Sequence, residues 1–283
     1  MGRPFELNRV DATLGAVVTG LRLADIDAGS FTALHAAWLE HALLILPGQH
    51  LTREEQVAFA RRFGDLEIPI TPISNVRGDG TVRPPDDDVM KVLKGNMIWH
   101  ADSTYMPVQA KGAVFSAQIV PSSGGETGWA DMRAAWDALP AALKARVEGL
   151  SAHHSLVYSQ GKLGHAHKTG SSYSGYGMTE GSAPLRPLVK RHPETGRLSL
   201  NIGRHAHAIP GLSETESEAL LEELTDFACR PPRIWQHAWS PGDVVIWDNR
   251  CLLHRALPWD LAEPRVMHHS RLAGDPVSEA AAA

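Results

Sequence analysis

The sequence predicts a mainly β fold with flanking helices, arranged as an antiparallel double-sheet barrel of the jelly-roll type. Three features indicate this class. Short apolar strands separated by turn residues fill the second half, helices are confined to a few capped segments, and no stretch has the composition of a linker. We therefore expect residues 1–283 to form a single domain.

The first third of the chain predicts short strands and two helices. In chain order we expect a strand around 15–21, a helix over 31–41, a buried strand over 42–46 and a helix over 52–64. Thr52 and Glu55 have the spacing of a capping box, so the second helix begins there. Gly64 is expected to end that helix.

Two segments, residues 68–96 and 151–177, show no sustained periodicity. The first contains four prolines and an acidic run, and the second is rich in glycine, serine and histidine. Long irregular segments near a ligand pair are often mobile lids, and a solvated surface loop is the alternative for 68–96. We expect the two segments to form opposite walls of one cleft.

The second half predicts mostly strands. The expected elements are a hairpin of 185–191 with 197–202, a helix over 213–227 and a hairpin of 234–239 with 244–247. Ser213 and Glu216 form a second capping-box pattern at the start of the helix. Strands at this spacing, with few helices between them, indicate two antiparallel sheets rather than a parallel one.

The composition excludes several classes of protein. A formal net charge of −5 provides no attraction to nucleic acid or to an anionic membrane, and two cysteines are too few for a disulfide framework. No apolar run approaches the ~18 residues of a membrane span. The first residues show no signal-peptide pattern, so we expect a cytoplasmic protein.

His100, Asp102 and His254 are the candidate metal ligands. On a strand, residues two apart leave the same face, so His100 and Asp102 can reach one ion while a second strand supplies His254. Two imidazoles and one carboxylate hold a divalent iron on one face and leave three positions open. Because the chain has 15 histidines, residue type alone does not select these two.

Two alternatives apply to the same residues. His100 and His254 could be ordinary buried histidines, although Trp99 and the Trp-Asp-Asn-Arg stretch at 247–250 that flank them weigh against this. A zinc site also uses two histidines and a carboxylate, but a zinc hydrolase needs a general base, usually a glutamate close to a ligand. Residues 100–105 offer none, so iron is preferred.

Arg265, eleven residues after His254, is the candidate anchor for a dicarboxylate co-substrate. A guanidinium holds a carboxylate through two parallel hydrogen bonds, which lysine cannot reproduce. Alternation along the following stretch places Arg265, Met267, His269 and Arg271 on one strand face. Two arginines and a histidine that face inwards are costly unless they meet anions.

The motifs together resemble the iron- and 2-oxoglutarate-dependent oxygenases of the taurine dioxygenase and chlorophenoxyacetate dioxygenase type. The pattern His-x-Asp, Gly-Gly-x-Thr, Trp-Asp-Asn-Arg with a following histidine, and then arginine covers essentially the whole chain. The resemblance implies a double-stranded β-helix with iron(II), 2-oxoglutarate and O2 as cofactors. The implied iron ligands are His100, Asp102 and His254, and the implied 2-oxoglutarate anchors are Thr127 and Arg265. Without the resemblance, Thr127 would be a turn residue after two glycines.

Four segments are similar to the (S)-specific phenoxypropionate dioxygenases, namely residues 95–107, 202–211, 264–267 and 269–272. This likeness implies oxidative cleavage of an aryloxyalkanoate acid to a phenol and a 2-oxo acid, while 2-oxoglutarate becomes succinate and CO2. The taurine enzymes have a sulfonate-binding arginine four residues after the co-substrate arginine. This chain has His269 there, which argues against taurine as the substrate.

The strand that begins at Arg265 also predicts substrate contacts. Arg271 is the candidate for the substrate carboxylate, and the alternative is that it pairs with an acidic residue elsewhere in the fold. His269, Tyr105 and Met106 are further candidate substrate-binding residues. The two irregular segments are expected to supply the pocket for the aryl group.

Several functions stay open from the sequence. Dioxygenases of sulfonates or alkyl sulfates and amino-acid hydroxylases share the motifs, whereas a zinc hydrolase would need neither 2-oxoglutarate nor oxygen. A non-enzymatic β-domain would bind 2-oxoglutarate without turnover. The preferred interpretation is a dioxygenase of aryloxyalkanoate acids, whose partner is a small-molecule carboxylate and neither nucleic acid nor membrane. We also expect a homo-oligomer.

Overall fold

The computed structural model describes residues 4–165 and 183–282. Its strands, in chain order, are β1 Glu6–Arg9, β2 Ala16–Thr19, β3 Leu43–Leu46, β4 Leu66–Ser74, β5 Gly112–Ile119, β6 Thr127–Asp131, β7 Ser151–His154, β8 Leu185–Pro187, β9 Val189–Arg191, β10 Leu198–Leu200, β11 Ala206–His207, β12 Ile234–His237, β13 Val244–Asp248, β14 Leu252–Ala256 and β15 Val266–Leu272. Its α-helices are α1 Ala28–His41, α2 Arg53–Ala60, α3 Asp88–Gly95, α4 Met132–Ala138, α5 Ala141–Val147, α6 Leu156–Gly161 and α7 Glu214–Ala228. The predicted class, mainly β with flanking helices, is confirmed.

Two sheets carry the residues of interest. The larger has seven strands in the order β1-β2-β3-β13-β5-β15-β4, and its neighbours are antiparallel except for β2 with β3. The smaller has the order β12-β6-β14. Buried side chains from both sheets share one hydrophobic cluster, in which the rings of Trp129 on β6 and Trp247 on β13 lie 6.0 Å apart. This shared burial fixes the two sheets against each other.

The helices cover both sheets from outside. Leu34 and Trp38 of α1, together with Phe59 of α2, pack in one cluster with side chains of β3, β5 and β13. Leu220 and Leu224 of α7 pack in another cluster with side chains of β6 and β14. These three helices therefore bury their apolar faces on the sheets. Within the described part of the chain, no helix has the length and apolar character needed to cross a membrane.

The predicted elements of the first third are confirmed, with shifts at their ends. Helix α1 begins earlier than expected because Asp27 caps it, accepting a hydrogen bond of 2.9 Å from the backbone N–H of Ser30. Thr52 and Glu55 make both hydrogen bonds of the predicted capping box on α2. Gly64, at a φ of 126°, ends the short 3-10 turn that continues this helix.

The segment 68–96 is more regular than the sequence predicts. Its first part belongs to β4, which pairs with β15 at the edge of the larger sheet, and its last part is α3, capped by Asp87. Pro69 and Pro72 concealed this strand, but an edge strand tolerates proline because one side of its backbone needs no partner. The other predicted wall begins with β7 and α6, while residues 166–177 lie outside the described residues.

The predicted hairpin of 234–239 with 244–247 is wrong in its pairing. Both strands form and Pro241 and Gly242 make a turn, yet β12 pairs with β6 whereas β13 pairs with β3 and β5. All five residues of β13 are buried, so it needs a neighbour on each side, and partly exposed β12 lies at the edge of the other sheet. A turn sequence specifies a change of direction and not the partner strand.

The remaining second-half predictions are confirmed with one change. Helix α7 has both capping-box bonds between Ser213 and Glu216, and β9 pairs with β10 as the predicted hairpin. The expected arm 185–191 is divided at Leu188, because β8 pairs with β7 instead. This stretch therefore joins two small sheets.

Candidate active site

The backbone places the two candidate histidine ligands opposite each other. His100 donates its N–H to the His254 carbonyl at 3.0 Å and accepts from the His254 N–H at 2.7 Å, as an isolated antiparallel bridge. The ring centroids lie 4.2 Å apart. Asp102 Oδ2 is 3.9 Å from His254 Nε2, and one ligand atom of each of the three residues lies within 4.8 Å of the others. The structure thus brings together all three predicted metal ligands.

Both imidazoles are in the form that binds a metal. His100 Nδ1 lies 2.7 Å from the Ile98 carbonyl, so Nδ1 carries the proton and donates it there, which leaves the Nε2 lone pair for an ion. Burial lowers the pKa of His100 well below its usual range and the pKa of His254 to about 4. At neutral pH the two rings are therefore uncharged, as ligation requires.

Hydrogen bonds hold the backbone of Asp102 in place, and nearby cationic and imidazole groups keep its carboxylate ionised. The Asn249 side chain accepts a hydrogen bond from the Asp102 N–H at 2.8 Å and donates to the Asp102 and Ala110 carbonyls, each at 2.9 Å. Burial alone would raise the pKa of Asp102. The Arg271 guanidinium, 3.4 Å from Oδ1, and three nearby imidazoles instead hold it well below its usual range. The carboxylate is therefore ionised with Oδ2 directed at the ligand set.

The buried Asp248 supports the turn that carries Asn249. It accepts hydrogen bonds from Arg250 Nε at 2.8 Å, Arg250 Nη2 at 2.7 Å and His192 Nε2 at 2.9 Å. Asp248, His192 and Cys251 also form a second group of potential metal-binding side chains. Because the Asp248 oxygens already hold a guanidinium and an imidazole N–H, this group is a structural network rather than a second metal site.

Arg265 has the features of an anion anchor. It is buried just before β15, where its Nε donates to the Gly125 carbonyl at 3.1 Å and its backbone N–H donates to Asn75 Oδ1 at 2.7 Å. Its Nη2 is buried without a hydrogen-bond partner. Burial lowers the pKa of Arg265 to about 10, so it is charged at neutral pH. A buried charge with a spare donor fits a carboxylate ligand.

Thr127 and the two glycines before it shape the same corner. Thr127 lines the cavity that holds Arg265, and its hydroxyl accepts from Trp239 Nε1 at 3.0 Å. Gly124 and Gly125 have positive φ values of 74° and 70°. A Cβ on Gly124 would lie 2.5 Å from the Pro258 carbonyl oxygen, and one on Gly125 would lie 3.2 Å from Arg265 Nε. Gly124 therefore leaves room for the Pro258 carbonyl, and Gly125 leaves room for the Arg265 side chain.

The ligands and the anchor line one cavity of about 160 Å³. Three arginines contribute to its wall, namely Arg204, Arg265 and Arg271. Among the lining residues in the described ranges, Asp102 is the one carboxylate. The apolar lining comes from Ile73, Val92, Phe115, Leu156, Trp247 and Ala256. A cavity with three cations and one metal-facing carboxylate favours anionic ligands.

The predicted substrate residues have different environments. His269 lines the cavity with its ring stacked on Trp247, and its Nε2 lies 3.5 Å from Asp102 Oδ2. Tyr105 also lines the cavity, and burial raises its pKa to about 12. Met106 is not among the residues that line the cavity, and its carbonyl accepts a hydrogen bond of 2.7 Å from Arg186 Nη2. The structure does not bring Met106 into the cavity.

Arg271 lies beside two carboxylates. Its Nη2 is 3.4 Å from Asp102 Oδ1 and its Nη1 is 3.7 Å from Glu67 Oε1, with Ser103 Oγ at 3.3 Å from Nη1. Pairing of Arg271 with an acidic residue is the alternative to substrate binding that the sequence left open. In this position Arg271 contacts the candidate metal ligand Asp102 and also lines the cavity.

Arg204 and Asn249 belong to the site in the structure, although the sequence did not predict them. Arg204 lies in the turn between β10 and β11, where no periodic pattern distinguishes an inward cation from a solvated one. Asn249 stands in the Trp-Asp-Asn-Arg motif, but its contact with Asp102 joins residues 147 apart in sequence. The Trp-Asp-Asn-Arg motif is the sequence signal that could have identified Asn249 as a site residue. For Arg204, that signal is the similarity of residues 202–211 to the phenoxypropionate dioxygenases.

A family model described as "Taurine catabolism dioxygenase TauD, TfdA family" matches residues 6–272. The chain belongs to the TauD/TfdA family. The matched range contains every candidate ligand and anchor described above, and it confirms the resemblance seen in the motifs.

Curated relatives match all or most of the length of this TauD/TfdA protein. It is 66% identical over 286 residues, covering 100% of both chains, to the "(S)-phenoxypropionate/alpha-ketoglutarate-dioxygenase" of Sphingobium herbicidovorans. It is 37% identical to the "Alpha-ketoglutarate-dependent 2,4-dichlorophenoxyacetate dioxygenase" of Cupriavidus pinatubonensis, covering 84% of this chain and 86% of the relative.

Solved structures support the same TauD/TfdA relationship. AAD-2 in complex with Mn(II) and N-oxalylglycine superposes with a TM-score of 0.88 at 35% identity, covering 95% of this chain and 97% of that one. A taurine dioxygenase from Burkholderia xenovorans gives a TM-score of 0.76 at 28% identity, covering 96% and 91%. The zinc-hydrolase alternative is disfavoured, because the described cavity lining also holds no second carboxylate to act as a general base.

Replacing a ligand should abolish the metal complex without unfolding the chain. His100→Ala removes one of three donors, so the protein should stay folded but show no visible charge-transfer band with iron(II) and 2-oxoglutarate under anaerobic conditions. His153→Ala, which alters a histidine outside the cavity, is the matched control and should keep the band. A full band or full turnover in His100→Ala would contradict the ligand assignment.

Removing the anchor should weaken 2-oxoglutarate binding. Loss of a charged hydrogen-bond pair is worth about 2–4 kcal/mol, so Arg265→Ala should lower the affinity for 2-oxoglutarate roughly 30- to 1000-fold. Arg265→Lys should recover only part of this, because an ammonium lacks the two-pronged geometry. Iron(II) affinity serves as the control and should not change. Wild-type 2-oxoglutarate affinity in Arg265→Ala would show that another cation binds the co-substrate.

Proposed function

We propose that this chain is an iron(II)- and 2-oxoglutarate-dependent dioxygenase that cleaves aryloxyalkanoate acids, such as 2-phenoxypropionates and phenoxyacetates, to a phenol and a 2-oxo acid. The observation that carries the proposal is the 66% identity, over the full length, to a relative named for (S)-phenoxypropionate and alpha-ketoglutarate. The arginine-lined cavity beside the ligand set supports it from the structure.

We infer that the two main sheets form a double-stranded β-helix core and that residues 1–283 work as one domain. The shared hydrophobic cluster between the seven-stranded and three-stranded sheets supports this inference. The residues that line the cavity also support it, because His254 lies on the smaller sheet and Arg271 lies on the larger one.

The residues present fit iron(II) and 2-oxoglutarate. Two neutral imidazoles and an ionised carboxylate suit iron(II), and His100, Asp102 and His254 would hold it. The spare Nη2 donor of Arg265, with the Thr127 hydroxyl beside it, would bind the distal carboxylate of 2-oxoglutarate. Iron(II) and 2-oxoglutarate, when bound, supply the activation of O2, and 2-oxoglutarate leaves as succinate and CO2.

The side chains of the cavity position the substrate and exclude water. One oxygen atom from O2 enters succinate. The other is inserted into a C–H bond of the substrate carbon that bears both the ether oxygen and the carboxylate. The resulting hemiketal or hemiacetal releases the phenol and leaves a 2-oxo acid. No side chain needs to be a nucleophile. Val92 of α3 and Leu156 of α6 supply apolar surface for the aryl ring, together with Phe115.

Two cations are candidates for the substrate carboxylate. Arg271 is the candidate predicted from the sequence, and its guanidinium already lies beside Asp102 and Glu67. Arg204 lines the same cavity, its Nε is buried without a hydrogen-bond partner, and within the described ranges no carboxylate forms an ion pair with it. Burial lowers the pKa of Arg204 to about 10, so it is charged and poorly solvated at neutral pH. These features favour Arg204 as the principal anchor.

Exchanging each cation separately should distinguish the two roles. Arg204→Met should raise the KM for the aryloxy acid by about tenfold or more while iron(II) and 2-oxoglutarate affinities stay unchanged. Arg271→Met should change the iron(II) affinity as well, because it removes the guanidinium that contacts Asp102. A larger KM effect in Arg271→Met, with no change in metal affinity, would show that Arg271 rather than Arg204 binds the substrate carboxylate.

A substrate screen tests the function itself. Succinate release should depend on iron(II) and be fastest with the (S)-enantiomer of 2-(2,4-dichlorophenoxy)propionate, with a phenol formed in equal amount. The (R)-enantiomer, taurine, alkyl sulfates and amino acids are the comparison substrates. Faster turnover of any of these would contradict the substrate class and leave the family assignment intact.

We further propose a homo-oligomer that works in the cytoplasm on a small-molecule carboxylate. The negative net charge of −5 supports the absence of nucleic-acid partners. Light scattering of the purified chain would check the oligomeric state.

A further inference from the structure

Gly95, the last residue of α3, is a buried helical glycine that its backbone does not require. It is not among the glycines with positive φ, so an alanine would fit its backbone conformation. Glycine destabilises a helix relative to alanine because its unfolded backbone is freer. Neither the backbone conformation nor helix stability therefore explains glycine at position 95, so its surroundings must.

The guanidinium of Arg204 occupies the space that a side chain at Gly95 would fill. A Cβ on Gly95 would lie 2.9 Å from Nη2 and 3.0 Å from Cζ of Arg204, and closer still to Nη1. Non-bonded atoms do not tolerate such distances, and the movable partner is the end of the long arginine side chain. Even alanine at this position would displace the guanidinium.

Helix α6 holds Arg204 from a second direction. Ser159 of α6 accepts from Arg204 Nη2 at 3.4 Å, and its hydroxyl is also 2.8 Å from His205 Nδ1. The guanidinium is thus confined between the end of α3 and a polar group of α6 while it lines the cavity. Its position at the wall depends on contacts from two separate segments of the chain.

We propose that Gly95 is a specificity-determining residue for carboxylate recognition. Its missing side chain lets the Arg204 guanidinium sit where the carboxylate of an aryloxyalkanoate is held at the correct distance from the metal ligands. A side chain at this position would move the cation and misplace the reacting carbon. The inference rests on the proposed function, because it needs a carboxylate substrate. Gly95 itself touches no reacting atom.

The test is Gly95→Ala, with Gly161→Ala as the matched control. Gly161 ends the neighbouring helix α6, has no positive φ, and a Cβ there would meet nothing within 4 Å. Gly95→Ala should keep or raise Tm and leave iron(II) and 2-oxoglutarate affinities unchanged. It should raise the KM for (S)-2-(2,4-dichlorophenoxy)propionate by about tenfold or more. Gly161→Ala should keep the wild-type KM.

A double-mutant cycle with Arg204→Lys separates this role from general damage. Lysine keeps the charge but lacks the broad guanidinium that fills the space beside Gly95. Gly95→Ala should therefore raise KM far less in the Arg204→Lys background than in the wild type. A structural defect unrelated to the cation would cost the same in both backgrounds.

The outcomes distinguish the inference from the function on which it rests. Wild-type turnover of the aryloxy acid with an unchanged KM in Gly95→Ala, or equal costs in both backgrounds, overturns the assignment of Gly95 alone. Absence of turnover by the wild type with any aryloxy acid overturns the proposed function and the assignment with it. A raised KM that disappears in the Arg204→Lys background supports both.

Discussion

The backbone pairing of His100 with His254 is the constraint on which the rest of the site depends. Two hydrogen bonds, of 3.0 and 2.7 Å, align segments that are far apart in sequence and present their imidazoles side by side. Asn249 then fixes Asp102 by bonding its N–H and its carbonyl. All of these bonds are made within the protein, so the fold itself holds the three candidate ligands close together.

The distribution of charge around this ligand set explains what the cavity can accept. Its three arginines differ in what already surrounds them. Arg271 lies beside two carboxylates, Arg265 has one spare buried donor, and Arg204 contacts the hydroxyl of Ser159. Arg271 is thus placed to balance the charge of Asp102, whereas Arg265 and Arg204 are each placed to bind a separate anion. A reaction between two carboxylate substrates requires two such anion sites. Arg265 and Arg271 are buried and Arg204 is partly buried, and cations in such positions cost stability unless they meet anions.

The parts of the molecule that local patterns encode were predictable from the sequence, and contacts between distant segments were not. The capping box at Thr52 and the ligand pair of His100 and Asp102 depend on residues two or three apart, so spacing reveals them. The partner of β12 and the inward position of Arg204 depend on which segments meet in three dimensions. Strand β4 was hidden because its prolines indicate a loop unless its edge position is known.

This ligand set is expected to couple the oxidation of 2-oxoglutarate to the cleavage of an aryloxyalkanoate. A single-turnover experiment measures that coupling most directly. Protein loaded anaerobically with iron(II), 2-oxoglutarate and (S)-2-(2,4-dichlorophenoxy)propionate is mixed with O2, and succinate and phenol are quantified together. Both products should form in equal amounts, and neither should form without iron(II) or 2-oxoglutarate. Phenol formed without succinate, or by the zinc-loaded protein, would contradict this coupling.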